Sequence, residues 1–388
     1  MKTIGIVAEY NPFHSGHAWH ISQSRRLFSE ETAVVAVISG NWVQRGECAV
    51  TDKWTRTEMA LAGGADLVLE LPTVWAAASA EGFARGAVSL LSATGVVDVL
   101  SFGSECGETA PLQELACCLN SPDFSTALRQ ELGPKRSFAQ CRRQAAERLL
   151  GPERAALLDS PNNNLGVEYL RFLPPDIEAV TVPRRGAGHD SEMEQDGLPS
   201  ASLLRRRLRA GDVTSVSPFL PLPWKGEAAD MRHLERALIA RLRSMTLEEA
   251  QALPDNGDGL AARLLFAARQ TASLEELYAL TKTRSYAHSR VRRLALCALL
   301  GLREQDRPAA PLYIRVLGFN PQGQRLLREM NQRAALPFFV KPAHNRRLSP
   351  QAQALFALEE RFTDLFALCF PTPRPCALEW TTGPVILK

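Results

Sequence analysis

Two histidines three residues apart, in Glu9-Tyr10-Asn11-Pro12-Phe13-His14-Ser15-Gly16-His17, carry the most pointed chemistry in the chain. Each imidazole can donate a hydrogen bond to a phosphate oxygen whose charge grows in a transition state. The glycine between them lets the backbone come close to a ligand. A turn rich in Asn and Pro leads into a helix that begins near Gly16, so the free N–H groups and positive dipole end of that helix point where a phosphate would sit. On spacing alone His-x-Gly-His is a weak pattern. Its place directly after the apolar run Ile4 to Ala8, which reads as a buried strand, makes it a nucleotide-binding device.

Such a device needs a sheet edge, and the first half of the chain is patterned to supply one. Ile4 to Ala8, Ala33 to Ser39, Ala65 to Leu71, Val96 to Phe102 and Ile177 to Val182 read as buried strands, with helix-forming segments between most of them. They predict an α/β class, a Rossmann-like domain built on a parallel sheet. Residues 107 to 160 read as a helical insertion before the last strand. In the second half, Met231 to Leu242, Leu247 to Leu253, Gly259 to Thr271, Leu274 to Thr281 and Ser289 to Leu302 carry Leu and Ala at helical spacing, which predicts an all-α C-terminal domain. The proline-rich stretch Pro218 to Trp224 separates a nucleotide-binding domain over 1–217 from a helical domain over 225–388.

With 388 residues, 45% of them apolar and 22% charged, the chain has globular composition and length for two or three domains. That excludes a disordered protein and a small disulfide or metal scaffold. The net charge of +3 hides an asymmetry: residues 1–224 hold 21 basic and 26 acidic side chains, residues 225–388 hold 24 and 16, so the halves carry −5 and +8. Twenty of the 24 are Arg, which suits bidentate phosphate contacts and predicts a polyanion partner for the second half. A general Arg bias would enrich Arg everywhere without removing acids from one half. The first apolar run is too short for a signal peptide and no run reaches membrane-spanning length, so the expected location is the cytoplasm. The eight Cys contain no Cys-x-x-Cys and are expected to be reduced and mostly buried.

His14-Ser15-Gly16-His17 resembles the His-x-Gly-His signature of the nucleotidyltransferase superfamily, whose Rossmann-like fold is shared with class I aminoacyl-tRNA synthetases. Longer stretches are more specific. Asn11 to His17, Gly40 to Glu47, Asp52-Lys53-Trp54, Gly64 to Pro72, Ser101 to Glu105, Pro161 to Gly166, Arg184 to Gly188 and Leu317-Gly318-Phe319 look like the tRNA(Met) cytidine acetate ligase family, nearly along the whole chain. The resemblance implies an enzyme that consumes ATP, with magnesium, to activate acetate as acetyl-adenylate. It then joins the acetyl group to the N4 amine of the wobble cytidine of elongator tRNA(Met), without acetyl-CoA. It implies catalytic roles for His14 and His17, and ATP contacts along Val7-Ala8-Glu9-Tyr10-Asn11-Pro12-Phe13-His14-Ser15-Gly16-His17-Ala18-Trp19-His20 and at Gly103, Asn162, Asn163, Arg184 and Arg185. The chain departs from the family where Asn164 replaces an aliphatic residue and where Gly188 runs directly into His189.

Acetate and triphosphate are both anions, so such a site must supply compensating donors. His14, His17, Lys53 and an Arg of the 184–185 pair are the candidates. Gly103, at a strand end, lets adenine or ribose pack on the backbone, or is a plain turn glycine. Asn162 and Asn163 contact ATP, cap the helix that follows, or both. Ser202 and Arg205, in Ser200-Ala201-Ser202-Leu203-Leu204-Arg205, are similar to the late triphosphate-binding signature of nucleotidyltransferases; a capping serine explains the segment nearly as well. For RNA, Arg284, Arg290, Arg292 and Arg293, beside Lys282 and His288, offer phosphate contacts and Tyr286 a ring for an unpaired base, against the reading of a solvated helix face. Arg205, Arg206, Arg207 and Arg209 form a second basic cluster. Two other functions compete: a small-molecule adenylyltransferase, which would not need the basic second half, and a non-catalytic RNA-binding protein, which would not need the two histidines.

Overall fold

The computed structural model describes residues 2–28, 31–133, 136–184, 199–257 and 259–388. The strands are β1 (Thr3–Ala8), β2 (Ala33–Ser39), β3 (Trp42–Val43), β4 (Glu47–Cys48), β5 (Leu67–Leu71), β6 (Val99–Ser104), β7 (Glu178–Pro183), β8 (Ile314–Phe319), β9 (Phe338–Phe339) and β10 (Val385–Ile386). Eight of them form one sheet in the order β10-β8-β5-β2-β1-β6-β7, with β9 on β8; β3 and β4 make a separate hairpin. The pairs from β5 through β2, β1 and β6 to β7 are all parallel. Strands buried on both faces need unbroken apolar runs, and β2 is buried at every position, as its sequence Ala-Val-Val-Ala-Val-Ile-Ser demands.

From β1 the chain moves outward to β2 and β5 and then returns across β1 to β6 and β7. The strand order therefore reverses between β1 and β6, and a crevice opens beyond their carboxyl ends, where open α/β sheets bind ligands. The helix Pro161–Phe172 packs over β6 and forms the far wall. A Cβ on Gly166 would meet the Phe102 ring at 2.5 Å, so only glycine lets that helix lie flush on the strand. Residues 109–156 hold four helices, Thr109–Leu119, Pro122–Glu131, Phe138–Leu150 and Pro152–Ala156, above the same end of the sheet.

The second half is not wholly helical. Helices at Glu235–Ser244, Leu260–Gln270, Leu274–Thr281 and His288–Leu300 pack together as expected, but β8, β9 and β10 return to the main sheet, β8 running antiparallel to β5. Residues after 313 thus complete the sheet begun by residue 3. Of the eight cysteines, which are all free, Cys48, Cys141, Cys297 and Cys369 are buried and Cys117 and Cys376 are exposed, so burial holds for half rather than most.

Candidate active site

His14 sits at the N-cap of helix α1 (Ser15–Arg26), a position usually held by Ser, Thr, Asp or Asn. Its Nδ1 accepts the Gly16 N–H at 3.1 Å, and Nδ1 of His17 accepts the His14 N–H at 3.2 Å, a reciprocal capping box made of imidazoles. A ring nitrogen that accepts from a backbone N–H carries no proton. Both neutral rings are therefore protonated at Nε2, the nitrogen through which each ring can donate. The rings lie 4.0 Å apart, and Tyr10 packs edge-on to His17 with Phe13 buried beneath. Burial pushes the His14 imidazole down to about 3, and the charges of Arg184 and Arg205 push the same way. It is a neutral donor throughout the physiological range. The Cβ of any other residue at 16 would meet the His14 ring at 2.9 Å, so the glycine makes room for the cap itself.

These rings line a cleft of roughly 920 Å³ over the carboxyl ends of β1, β6 and β7. Of the segment Val7 to His20, the cleft wall takes Val7, Ala8, Glu9, Tyr10, Asn11, His14, Gly16, His17, Trp19 and His20, while Pro12, Phe13, Ser15 and Ala18 lie behind it. Nε2 of His20 reaches Ser101 Oγ at 3.1 Å, and burial with the Arg184 charge lowers this ring to about 4. Gly103 is not a turn residue: it lies inside β6 opposite Val182, and a side chain there would press on Arg184 Cγ at 3.3 Å. The space it leaves is occupied by Arg184, whose Nη1 donates to Asn162 Oδ1 at 2.7 Å. Arg185 and the Gly186-Ala187-Gly188 segment with His189 lie outside the described residues.

The two asparagines part company. The N-cap of the helix Pro161–Phe172 is Ser160, with Pro161 in its first turn, so neither asparagine is the cap. Asn163 is buried and its Oδ1 accepts the N–H groups of Glu105 and Cys106 at 2.9 and 3.1 Å. Asn162 faces the cleft. Glu105 satisfies the helix start from outside, accepting from the backbone N–H groups of Asn162 and Asn163.

Lys53 is a correction. It is fully buried, with Nζ 2.5 Å from Glu70 and also bonded to Glu379, while Arg315 holds the remaining oxygens of both acids. An ammonium with two buried carboxylates has no reason to face a phosphate, and this one stays in the core. Burial alone would raise the Glu379 carboxyl; Arg315 and Lys53 outweigh it and hold the group at about 2. Arg205 does reach the cleft, where Nη1 donates to the Asn11 carbonyl at 2.7 Å and Nη2 to Ser202 Oγ at 3.0 Å. Ser200 is the cap of its helix, Ala201–Arg209, and Ser202 faces away into a neighbouring depression. Sequence reasoning gave no role to Arg56, and gave Glu9 only a place among the ATP contacts. Arg56 is fully buried and donates to the carbonyls of Glu9, Ser39 and Gly40, fixing the ends of β1 and β2; Glu9 accepts the Gln44 N–H at 2.8 Å and holds the following loop.

The sequence profile of the HIGH Nucleotidyl Transferase family matches residues 1–378. The tRNA(Met) cytidine acetate ligase of Caldanaerobacter subterraneus is 35% identical to this chain, over 95% of it and 96% of the relative. That of Syntrophomonas wolfei is 35% identical over 99% of each. The chain belongs to the tRNA(Met) cytidine acetate ligase family. Among solved structures, Thermotoga maritima TmcAL in an apo form matches with a TM-score of 0.93 at 31% identity over 100% of both chains, and TmcAL bound with alpha-thio ATP with 0.89 at 30%.

In this member of the ligase family, the basic run after residue 281 does not form one open RNA face. Arg293 is buried and donates to the Gln44 carbonyl at 3.3 Å, in contact with the loop below the cleft. Tyr286 is buried under the Arg290 guanidinium, so its ring is not presented for base stacking. Arg292 pairs with Glu47 at 2.5 Å across the same seam. Lys282, Arg284 and His288 are exposed.

Proposed function

We propose that the chain is an ATP-dependent acetate ligase acting on the wobble cytidine of elongator tRNA(Met), and that His14 and His17 stabilise the transition state of acetate activation. The observation that carries this reading is the reciprocal imidazole cap at the start of α1, set at the switch point of the sheet in a chain that matches such ligases from end to end. An acetate oxygen attacks the α-phosphorus of ATP, the bond to the bridging oxygen breaks, and pyrophosphate leaves. The helix N-terminus and the two Nε2–H groups receive the growing phosphate charge, and Arg184 and Arg205 offset the repulsion between the anions. The cytidine N4 then attacks the acetyl carbon, AMP leaves and the amine gives up a proton. Among the described residues no three His, Cys, Asp or Glu side chains are grouped to hold a metal; magnesium would accompany ATP and supply charge neutralisation to the triphosphate. The net charge of +8 on residues 225–388 supports a polyanionic substrate, which a small-molecule adenylyltransferase would not need. No described helix is long and apolar enough to cross a membrane; the proposed tRNA substrate places the reaction in the cytoplasm.

The test is acetate-dependent exchange of labelled pyrophosphate into ATP in the absence of tRNA. Exchange that requires acetate is expected. Acetylation of tRNA by acetyl-CoA without ATP would overturn the adenylate route.

A further inference from the structure

Beside the nucleotide cleft lies a second depression, of roughly 780 Å³, assembled from four separate parts of the chain. Its walls carry Arg45, Arg205, Arg206, Arg209, Arg232 and Arg292, against two acids, Glu47 and Asp230. The acids are committed: Glu47 pairs with Arg292 at 2.5 Å, and Asp230 lies 2.8 Å from Arg232 and 3.7 Å from Arg209. They fix guanidinium groups without cancelling the excess of four positive charges. Arg45 and Arg205 belong to both hollows, so the basic depression opens directly into the cleft that holds His14 and His17. Burial lowers the Arg205 guanidinium, Glu47 and Glu9 act to raise it, and the like charges of Arg209 and Arg45 act to lower it.

We infer that this depression binds the backbone phosphates flanking the cytidine that enters the cleft, an inference that rests on the tRNA-modifying reading above. Enzymes that act on one base take it out of its stack and into a pocket, and the phosphates on either side of that nucleotide must then remain at the mouth. Here the mouth is lined by guanidinium groups, which bind phosphate in bidentate fashion. On the reading above, the triphosphate sits at the helix start within the cleft, which leaves this depression for other phosphates.

The experiment uses the full chain, labelled unmodified elongator tRNA(Met) and fluorescence anisotropy over a sodium chloride series, beside pyrophosphate exchange with ATP and acetate. The variant is R206Q/R232Q, since both side chains are exposed and neither lines the cleft. Two lost phosphate contacts should flatten the plot of log affinity against log salt by about 1.4, at roughly 0.7 per contact on single-stranded RNA, with exchange unchanged. R206K/R232K, which keeps the charges, should keep the slope. Unchanged affinity and slope in R206Q/R232Q would overturn the inference, as would intact tRNA binding with a raised KM for ATP, which would assign the depression to the triphosphate. Wild-type protein that failed to bind tRNA at any salt would instead overturn the underlying reading of the function.

Discussion

At the scale of single residues, the decisive feature is the tautomer of two rings. Because both Nδ1 atoms accept from backbone N–H groups, each neutral ring carries its proton on Nε2. Replacing His14 or His17 with Ala should lower acetate-dependent pyrophosphate exchange by about 10²-fold or more, the usual size for a lost transition-state donor. Wild-type exchange in either variant would remove the assignment. His14 is held near 3, so activity between pH 6 and 9 should show no loss attributable to its protonation. The sign for stability follows from the depressed value. The folded state refuses a proton that the unfolded chain accepts below about 6.5, so stability from the neutral ring is complete above that pH and is lost as pH falls towards 3. Thermal melts at pH 7.5 and 5 should therefore differ less in H14A than in the wild type. The two histidines were legible from sequence through their spacing after a strand. Their reciprocal cap was not, because His is rarely an N-cap and nothing in the letters says which nitrogen accepts.

At the scale of elements, four of the five parallel strands of the first half were legible because strands buried on both faces must be written as apolar runs, and the half-buried edge strand β7 through the β-branched residues of Val180-Thr181-Val182. β8 was not. In Tyr313-Ile314-Arg315-Val316-Leu317 a charge stands in the middle of the run, and only the fold reveals that Glu70 and Glu379 neutralise Arg315 inside the sheet. The same network explains why Lys53 reads as a phosphate ligand and behaves as a core residue: its partners are 17 and 326 positions away. It ties α2 (Lys53–Ala62), β5, β8 and the short helix Leu378–Thr381 into one charge-balanced cluster. Lys53→Met leaves the two buried carboxylates with only Arg315. It should cost on the order of 3–5 kcal/mol, read as a lower urea midpoint, with the KM for ATP unchanged in the protein that remains folded. A raised KM with an unchanged midpoint would restore Lys53 to the nucleotide site.

At the scale of the whole molecule, the acidic first half and the basic second half are not two separate bodies. The strands β8 and β10 seal the second half onto the sheet, and Arg292 and Arg293 dock on the loop through Gln44 and Glu47. Gly46 permits that contact, with φ +74° and Arg293 N only 2.4 Å from where a Cβ would stand. The charge asymmetry fits a polyanion partner but does not say where it would bind: part of the basic run is used to join the halves, and Arg45, Arg205, Arg206, Arg209, Arg232 and Arg292 converge at the mouth of the cleft. The central claim is that this single cleft activates acetate with ATP and delivers it to a cytidine of tRNA(Met). It is tested most directly by incubating the protein with unmodified elongator tRNA(Met), ATP and deuterated acetate, then digesting the RNA and weighing its nucleosides by mass spectrometry. The account predicts N4-acetylcytidine carrying the deuterium label, only when ATP is present; unlabelled or absent N4-acetylcytidine under these conditions would contradict it.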